Sequence, residues 1–367
     1  MLKKFPIIKW ILISFTSLII FLFVFGWWFI NLLPKPDTNF DVTISQVADI
    51  PYLSENQKSF RGKILAVVTS TNTMGKSGKV TGYELTELAR AYYVFQANGF
   101  TVEIASPLGG KAPVVLDDDD MGIFDYAFLN DQIAQNKTSH TIPLNKIVAK
   151  DYEAIFFVGG KGAMFDFPEN KDIQTIVSEL NKANKVIGAV CHGPAALVNV
   201  TKENGRPLLE NKTVSSFTNE EELLLIPDAK TVFPFLLQDK LSEQGARFNQ
   251  GTMYLEHISH DKNLVTGQNP WSTWKLAETM VKQLGFTPKY RELTAEENAV
   301  EVLQVFETHG SQKAKEVIDQ MSTDENKPVD RILLATHSVM AVMKGEPGRF
   351  ISLVGLTSYA KEKAIDH

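Results

Sequence analysis

Residues 185–197 read KVIGAVCHGPAAL. A short apolar run, Val186–Val190, stops at Cys191 and is followed by histidine, glycine, proline and small helix-forming residues. A buried strand that ends on a reactive residue and passes at once into a helix is a nucleophile elbow, with its side chain exposed at the carboxyl end of a sheet. The stretch therefore predicts a sheet of α/β type with Cys191 at its functional edge.

The segments on either side alternate between strand and helix patterns. Strands are predicted at KILAVVTS, TVEIASPLGG and EAIFFVGG before the quoted stretch, and at KTVSSF and KNLVTGQNP after it. Helical spacing is found in TGYELTELARAYYVFQANGF, KDIQTIVSELNKANK and WSTWKLAETMVKQLG. Such alternation favours a parallel sheet sandwiched between helices. The acidic run at 117–120 and the segment to about residue 145 read as a surface insertion.

The N-terminal segment has the composition of a transmembrane helix. The segment from Trp10 to Leu33 contains no charged residue and is long enough to cross a hydrocarbon core about 30 Å thick. A cleaved signal peptide is the alternative, but the run is long and lacks an A-x-A-like cleavage site. Because Lys3, Lys4 and Lys9 precede the span, the N-terminus is expected in the cytoplasm and the rest of the chain outside, as a single-pass membrane protein.

Four regions follow from these patterns. We expect a cytoplasmic tip and transmembrane helix over residues 1–35, a linker over 36–62, an α/β domain over 63–288 and a helical C-terminal module over 289–367.

Composition limits the partners. The net charge of −6 and the absence of a basic patch interleaved with aromatic residues argue against nucleic acid. A single cysteine excludes an internal disulfide and a cysteine-based zinc site, and the seven histidines form no HExxH or HxH pattern. No metal and no cofactor are therefore expected.

The residue type at the end of the predicted strand allows two interpretations. Cysteine is a common buried apolar residue, so Cys191 could be core filling. A helix that begins near Gly193 would instead place its positive end by the thiol, lower the pKa of Cys191 and stabilise the attacking thiolate. The surrounding VCHGPAAL favours reactivity.

The motif AVCHGP resembles the nucleophile motif of the DJ-1/PfpI superfamily, and the wider pattern is most similar to its Hsp31-like branch. The segments that carry the resemblance are TGYELTELARAYYVFQANGFTVEIASPLGG, DYEAIFFVGGKGAMFDFPEN, the cysteine stretch, VSSFTNEEE and LVTGQNPWST. They occur in the order that the family shows and span about residues 63–286. The resemblance implies a flavodoxin-like fold, as in the class I glutamine amidotransferases, with a Cys–His–acid site.

The resemblance also assigns roles to residues of this chain. It implies Cys191 as the nucleophile, His192 as its histidine and Glu87 as the carboxyl beside the thiol. Spacing alone does not separate Glu84 from Glu87, since they are three apart on one helical face. The third member of the triad would come from FTNEEE, where the match favours Glu222 over Glu220 and Glu221.

A glycine-rich loop follows the strand EAIFFVGG. Gly159, Gly160, Lys161 and Gly162 are predicted to line an oxyanion or substrate site, because glycines let the backbone approach a ligand and its N–H groups can face a developing oxyanion. Many relatives have GGHG here, so Lys161 is a departure that removes any role of the histidine side chain. A lysine at this position would attract anionic or 2-oxo substrates.

The resemblance implies several functions. The leading expectation is a glutathione-independent glyoxalase that converts methylglyoxal and water to D-lactate, a glyoxalase III-like lyase of the D-lactate dehydratase type. A membrane-tethered holdase chaperone, an amidase or peptidase and an oxidant-sensing cysteine are the alternatives. The partners expected are a small carbonyl substrate such as methylglyoxal and the membrane, and a homodimer is left open because relatives often dimerise.

Overall fold

The computed structural model describes residues 6–35, 41–55, 60–117, 121–323 and 327–364. Lys3 and Lys4, which contribute to the predicted orientation, and residues 118–120 of the acidic run lie outside these ranges. The chain divides into two compact units, Asn39–Arg291 and a second unit of Met1–Thr38 with Glu292–His367.

A seven-stranded sheet forms the centre of the first unit. In chain order its strands are β1 (Lys63–Val67), β3 (Thr101–Ser106), β5 (Ile142–Pro143), β6 (Ala154–Phe157), β7 (Val186–Val190), β10 (Ile258–Asp261) and β11 (Leu264–Gly267). Their spatial order is β10-β11-β7-β6-β1-β3-β5, and every neighbouring pair is parallel except β10 with β11. The predicted flavodoxin-like, mostly parallel sheet is confirmed.

Helices and two small ribbons complete the first unit. The helices are α2 (Pro51–Ser54), α3 (Leu85–Ala97), α4 (Ile123–Asn130), α5 (Gln132–Ser139), α6 (Ala163–Asp166), α7 (Lys171–Lys182), α8 (Asn219–Leu225), α9 (Ala229–Val232), α10 (Leu237–Glu243) and α11 (Thr273–Gln283). The ribbons pair β2 (Tyr83–Glu84) with β4 (Val114–Val115) and β8 (Thr213–Val214) with β9 (Arg247–Phe248). Strands β6 and β7 are buried along their whole length, as expected for a sheet covered on both faces.

Two local expectations are wrong. The segment to about residue 145 is not a surface insertion, because α4 and α5 bury Phe124, Phe128 and Ala134, and the Phe128 ring packs edge-on to Tyr92 of α3 at 5.3 Å. The helix expected after the cysteine is a five-residue 3₁₀ segment, Gly193–Leu197. The strand predicted at KTVSSF is present as β8, which pairs with β9 outside the main sheet.

The second unit is helical. Helix α1 spans Pro6–Ile30, and its part Trp10–Ile30, with a mean hydropathy of 2.2, is long and apolar enough to cross a membrane. The C-terminal helices are α12 (Ala295–His309), α13 (Ser311–Ser322), α14 (Arg331–Met343) and α15 (Pro347–Lys363), of which α14 and α15 form a hairpin.

Candidate active site

Cys191 follows β7 directly and has a left-handed backbone. Its φ is 57°, a conformation that costs an L-residue about 1–2 kcal/mol, so the surrounding structure must hold it. Its N–H donates to the carbonyl of Gly267 at 3.0 Å, and its own carbonyl accepts the N–H of Phe217 at 2.9 Å. The backbone thus makes the sharp turn of a nucleophile elbow.

The turn passes closely over the end of β6. A Cβ at Gly193 would lie 2.3 Å from the carbonyl oxygen of Phe157, so only glycine fits there. Gly159 is confined in the same way, since a Cβ on it would lie 2.5 Å from Oε2 of Glu87 and 2.9 Å from Cβ of Cys191. The two glycines therefore let the loop after β6 and the nucleophile turn lie against each other.

His192 links the thiol to a carboxylate. Its Nδ1 is 3.3 Å from Sγ of Cys191, and its Nε2 is 2.6 Å from Oε2 of Glu222. Both partners of this second contact are buried, and the rings of Phe217 and Phe233 lie 4.8 and 6.1 Å from the imidazole. A short, enclosed contact of this kind fixes the orientation of the ring, so that Nδ1 faces the thiol.

The three glutamates of FTNEEE have different surroundings. Glu220 is exposed, whereas Glu222 faces His192. Glu221 is fully buried and accepts hydrogen bonds from the N–H and hydroxyl of Thr218, the N–H of Tyr254 and two side-chain amides, those of Gln268 and Asn269. Glu221 thus connects three loops, while Glu222 is the one in contact with the imidazole.

Glu87 lies beside the thiol, as the resemblance implies, and Glu84 does not occupy that position. Glu87 is fully buried in the first turn of α3; its Oε2 accepts the N–H of Gly159 at 2.7 Å, and a Cβ on that glycine would meet both Oε2 of Glu87 and Cβ of Cys191, which places the carboxyl beside the thiol. Burial, with a further contribution from Glu84, raises the pKa of Glu87 well above its ordinary value.

Two expectations about the thiol are wrong. Cys191 is 4% exposed and not open at the edge of the sheet, because the loop after β6 and the side chain of Glu87 cover it. Its pKa is not lowered by a helix: burial raises the pKa of Cys191 well above the ordinary value, and the neighbouring Glu87 raises it further. A 3₁₀ segment of five residues gives a weak dipole, and this does not offset the loss of water.

The loop of Gly159, Gly160, Lys161 and Gly162 lies against the thiol and Glu87. The N–H of Gly159 is committed to Glu87, so it orients the carboxyl and is not available to an oxyanion. Gly160 has a φ of 92°, and a Cβ on Gly162 would lie 2.6 Å from the Thr69 side chain. The half-buried ammonium of Lys161 acts to lower the pKa of both Glu87 and Cys191.

This arrangement can support covalent chemistry with proton transfer. It places a nucleophile between a histidine that can take its proton and a carboxyl whose pKa is raised by burial. Among the described residues, no group of three or more His, Cys, Asp or Glu side chains could hold a metal ion.

Sequence reasoning missed the aromatic walls around the imidazole, Phe217 and Phe233. Phe233 lies 41 positions after His192, and no local pattern connects the two. It also left Glu221 undecided, although Thr218 followed three residues later by Glu221 is the sequence pattern of a capping box. That pattern assigns Glu221 to the helix start and leaves Glu222 for the histidine.

Comparison with known proteins adds an independent line of evidence. The sequence profile described as the DJ-1/PfpI family matches residues 79–283. The chain is 34% identical over 231 residues to the glutathione-independent glyoxalase HSP31 of Saccharomyces cerevisiae, covering 60% of this chain and 98% of that protein.

Two solved structures resemble the same part of the chain. The Rapid Encystment Protein 24 kDa of Francisella tularensis is 35% identical, with a TM-score of 0.58 over 61% of this chain and 99% of its own. Glyoxalase III of Candida albicans is 27% identical, with a TM-score of 0.57 over 61% and 98% of the two chains.

Replacing each buried glutamate by glutamine in turn should show that Glu221 supports stability and Glu222 supports catalysis. In the wild type the carboxylate of Glu221 accepts hydrogen bonds from several buried donors, and in Glu221→Gln some of these donors would face an amide N–H₂ instead. Because each unpaired buried group costs about 1–3 kcal/mol, thermal unfolding in detergent should shift to lower temperature. Glu222→Gln should unfold close to the wild type but lose roughly 10²–10⁴-fold in the chemical step, because the imidazolium loses its anionic partner. Equal losses of stability in both variants would contradict this assignment.

Replacing Glu87 should make the thiol more acidic. Glu87→Gln removes the carboxylate that opposes ionisation of Cys191, so the thiol pKa should fall, although burial keeps it above the ordinary value. The pH dependence of alkylation by iodoacetamide reports it directly, since the chain has one cysteine. Glu84→Gln, three residues away, should leave the thiol pKa nearly unchanged. A higher thiol pKa in Glu87→Gln would mean that Glu87 stabilises the thiolate as a donor.

Proposed function

The chain belongs to the DJ-1/PfpI family, and on that premise we propose that it is a membrane-anchored glutathione-independent glyoxalase, which converts methylglyoxal and water to D-lactate. As an enzyme it is of the glyoxalase III-like type. The observation that carries the proposal is the position of the Cys191 thiol beside the buried carboxyl of Glu87, whose pKa is raised by burial. A carboxyl in that state can give a proton to a carbonyl oxygen and then take one from carbon.

The burial of the nucleophile favours a small substrate. With 4% of Cys191 exposed, a two- or three-carbon aldehyde reaches the sulfur far more readily than a peptide, whose backbone would need an open groove. This favours an aldehyde over the amide substrates of an amidase or peptidase.

In the first step the thiol adds to the aldehyde. His192 takes the proton from Sγ through Nδ1, 3.3 Å away, while its Nε2–H donates to Glu222. The sulfur electron pair forms the C–S bond, and the aldehyde oxygen takes the proton of Glu87. The result is a neutral hemithioacetal, a Glu87 carboxylate and a His192 imidazolium.

In the second step the hemithioacetal isomerises to a thioester. Glu87 removes the proton from C1, and the ketone oxygen takes the proton of the imidazolium, which gives an enediol. The C1 hydroxyl then returns a proton to His192 as its C=O forms, and Glu87 delivers its proton to C2. The ammonium of Lys161, which acts on both Glu87 and Cys191, stabilises the negative charge that passes through the oxygens.

In the third step water releases the product. Glu87 takes a proton from the water as it attacks the thioester carbonyl, and the sulfur leaves with the proton of the imidazolium. The N–H groups of Gly160 and His192 are proposed to hold the oxyanion of this step. Cys191, His192 and Glu87 thereby return to their starting protonation states.

The N-terminal helix is proposed to be the anchor. Trp10–Ile30 matches the thickness of a bilayer, and Trp27 and Trp28 lie at its end as in an interfacial aromatic belt. The basic residues before it support a cytoplasmic N-terminus and a catalytic unit outside.

Lactate formation tests the enzyme. The full chain in detergent should convert methylglyoxal to D-lactate, and Cys191→Ser should form none. Glu87→Gln should lose roughly 10²–10⁴-fold, because a glutamine can neither give the aldehyde oxygen its proton nor take the proton from C1. Glu84→Gln is the matched control and should remain active. The proposal fails if the wild-type chain makes no lactate while a known glyoxalase does so in parallel, or if it cleaves amide substrates faster than it consumes methylglyoxal.

Membrane fractionation tests the anchor. The full chain should stay with the membrane pellet after alkaline carbonate extraction, because about 20 apolar residues in the bilayer resist it. In intact cells, protease added from outside should digest the catalytic unit and spare a marker enzyme of the cytoplasm. Release into the carbonate supernatant would mean that the segment does not span, and protection of the catalytic unit would reverse the orientation.

A further inference from the structure

The hairpin of α14 and α15 carries apolar side chains on its outer surface. Val342, Met343 and Ile351 are 56%, 60% and 69% exposed and, with the half-buried Phe350, surround the turn between the two helices. We call these four residues the hairpin tip. Upstream, Ile332 and Val339 continue the same exposed stripe along α14, and no residue between Ile332 and Met343 is charged. A stripe of this kind in contact with water marks an interaction surface.

Two contacts fix the height of the tip along α1. The ring of Phe25 lies 6.1 Å from that of Phe350, and the ammonium of Lys361 donates to the carbonyl of Asn31 at 2.5 Å. Helix α15 therefore runs alongside the end of α1 in the same direction, and its first turn points back toward the middle of α1. At 1.5 Å per residue, Phe25 lies about 7.5 Å inside the end of the apolar helix at Ile30.

If α1 spans a bilayer, the tip cannot remain in water. Its contact with Phe25 places it below Trp27 and Trp28, at the boundary between lipid headgroups and acyl chains. Apolar helical surfaces bind at that boundary, about 5–10 Å deep. We infer that the hairpin tip is a second membrane contact, a surface that inserts into the lipid interface beside the anchor helix.

The charges near the tip agree with this depth. Arg349 is paired with Glu307 at 2.7 Å and with Glu346 at 3.6 Å, and Lys344 is 3.7 Å from Glu346. Paired charges are compatible with the headgroup region, whereas the cost of desolvating them opposes their entry into the hydrocarbon centre. The partner is thus a lipid surface and not the bilayer core. The inference rests on the proposed anchoring by α1, and it adds a contact that would hold the second unit at a fixed height on the membrane.

Depth measurement on single-cysteine chains tests it. In the full chain with Cys191→Ser, an environment-sensitive fluorophore is attached at Met343→Cys or Ile351→Cys, with Gln320→Cys on α13 as the exposed control. Leu18→Cys, in the middle of the anchor, reports the span itself. The chains are reconstituted in phosphatidylcholine and phosphatidylglycerol vesicles whose lipids carry bromine at shallow or deep positions.

The expected result is a shift to shorter wavelength at positions 343 and 351, quenching by shallow bromine, and loss of quenching by aqueous iodide. Position 320 should remain quenched by iodide, and position 18 should be quenched by deep bromine. Iodide quenching at 343 and 351 with deep quenching at 18 would overturn the inference and leave the anchor standing. Protection from iodide without bromine quenching would show a protein partner, such as a second copy, and also overturn it. No bromine quenching at 18 would remove both the anchor and the inference.

Discussion

Two acidic groups, the carboxyl of Glu87 and the thiol of Cys191, lie side by side and are almost completely buried. Burial opposes the ionisation of each, and each opposes the ionisation of the other, so the pKa of both is raised. Each group therefore gives up its proton less readily than it would in water. His192, held by Glu222, is the group in position to take the thiol proton.

The fold brings these groups together from distant parts of the chain. Glu87 comes from the first turn of α3, Cys191 from the end of β7 and Glu222 from α8. Parallel strands end at one edge of the sheet, so the loop after β6 and the turn after β7 are neighbours there. Close approach of the two requires the absence of a side chain at Gly159 and Gly193, and the left-handed backbone of Cys191 directs the thiol toward Glu87.

The unit outside the catalytic one carries exposed apolar surface. Its apolar surface is of two kinds, the long helix Trp10–Ile30 and the exposed residues of the α14–α15 hairpin. Both lie in one compact unit and are joined by the contact of Phe25 with Phe350. The family profile ends at residue 283, before this unit's C-terminal helices, and the matched part of the chain covers 98% of the yeast relative HSP31, so the two apolar features lie outside the part that this relative shares.

The sequence by itself determined the class of fold, because strand and helix periodicities are local and VIGAVCHGP carries both the strand and its turn. It also determined the apolar length of the first helix, a property of composition alone. It did not determine the protonation of the thiol: the expected helix at Gly193 proved to be a short 3₁₀ segment, and burial by Glu87 and the loop after β6 outweighs it. Sequence spacing likewise does not distinguish Glu87 from Glu84, or Glu222 from its two neighbours. Such choices depend on which side chains face each other across the sheet edge, and only packing between segments about 30 to 100 residues apart decides that.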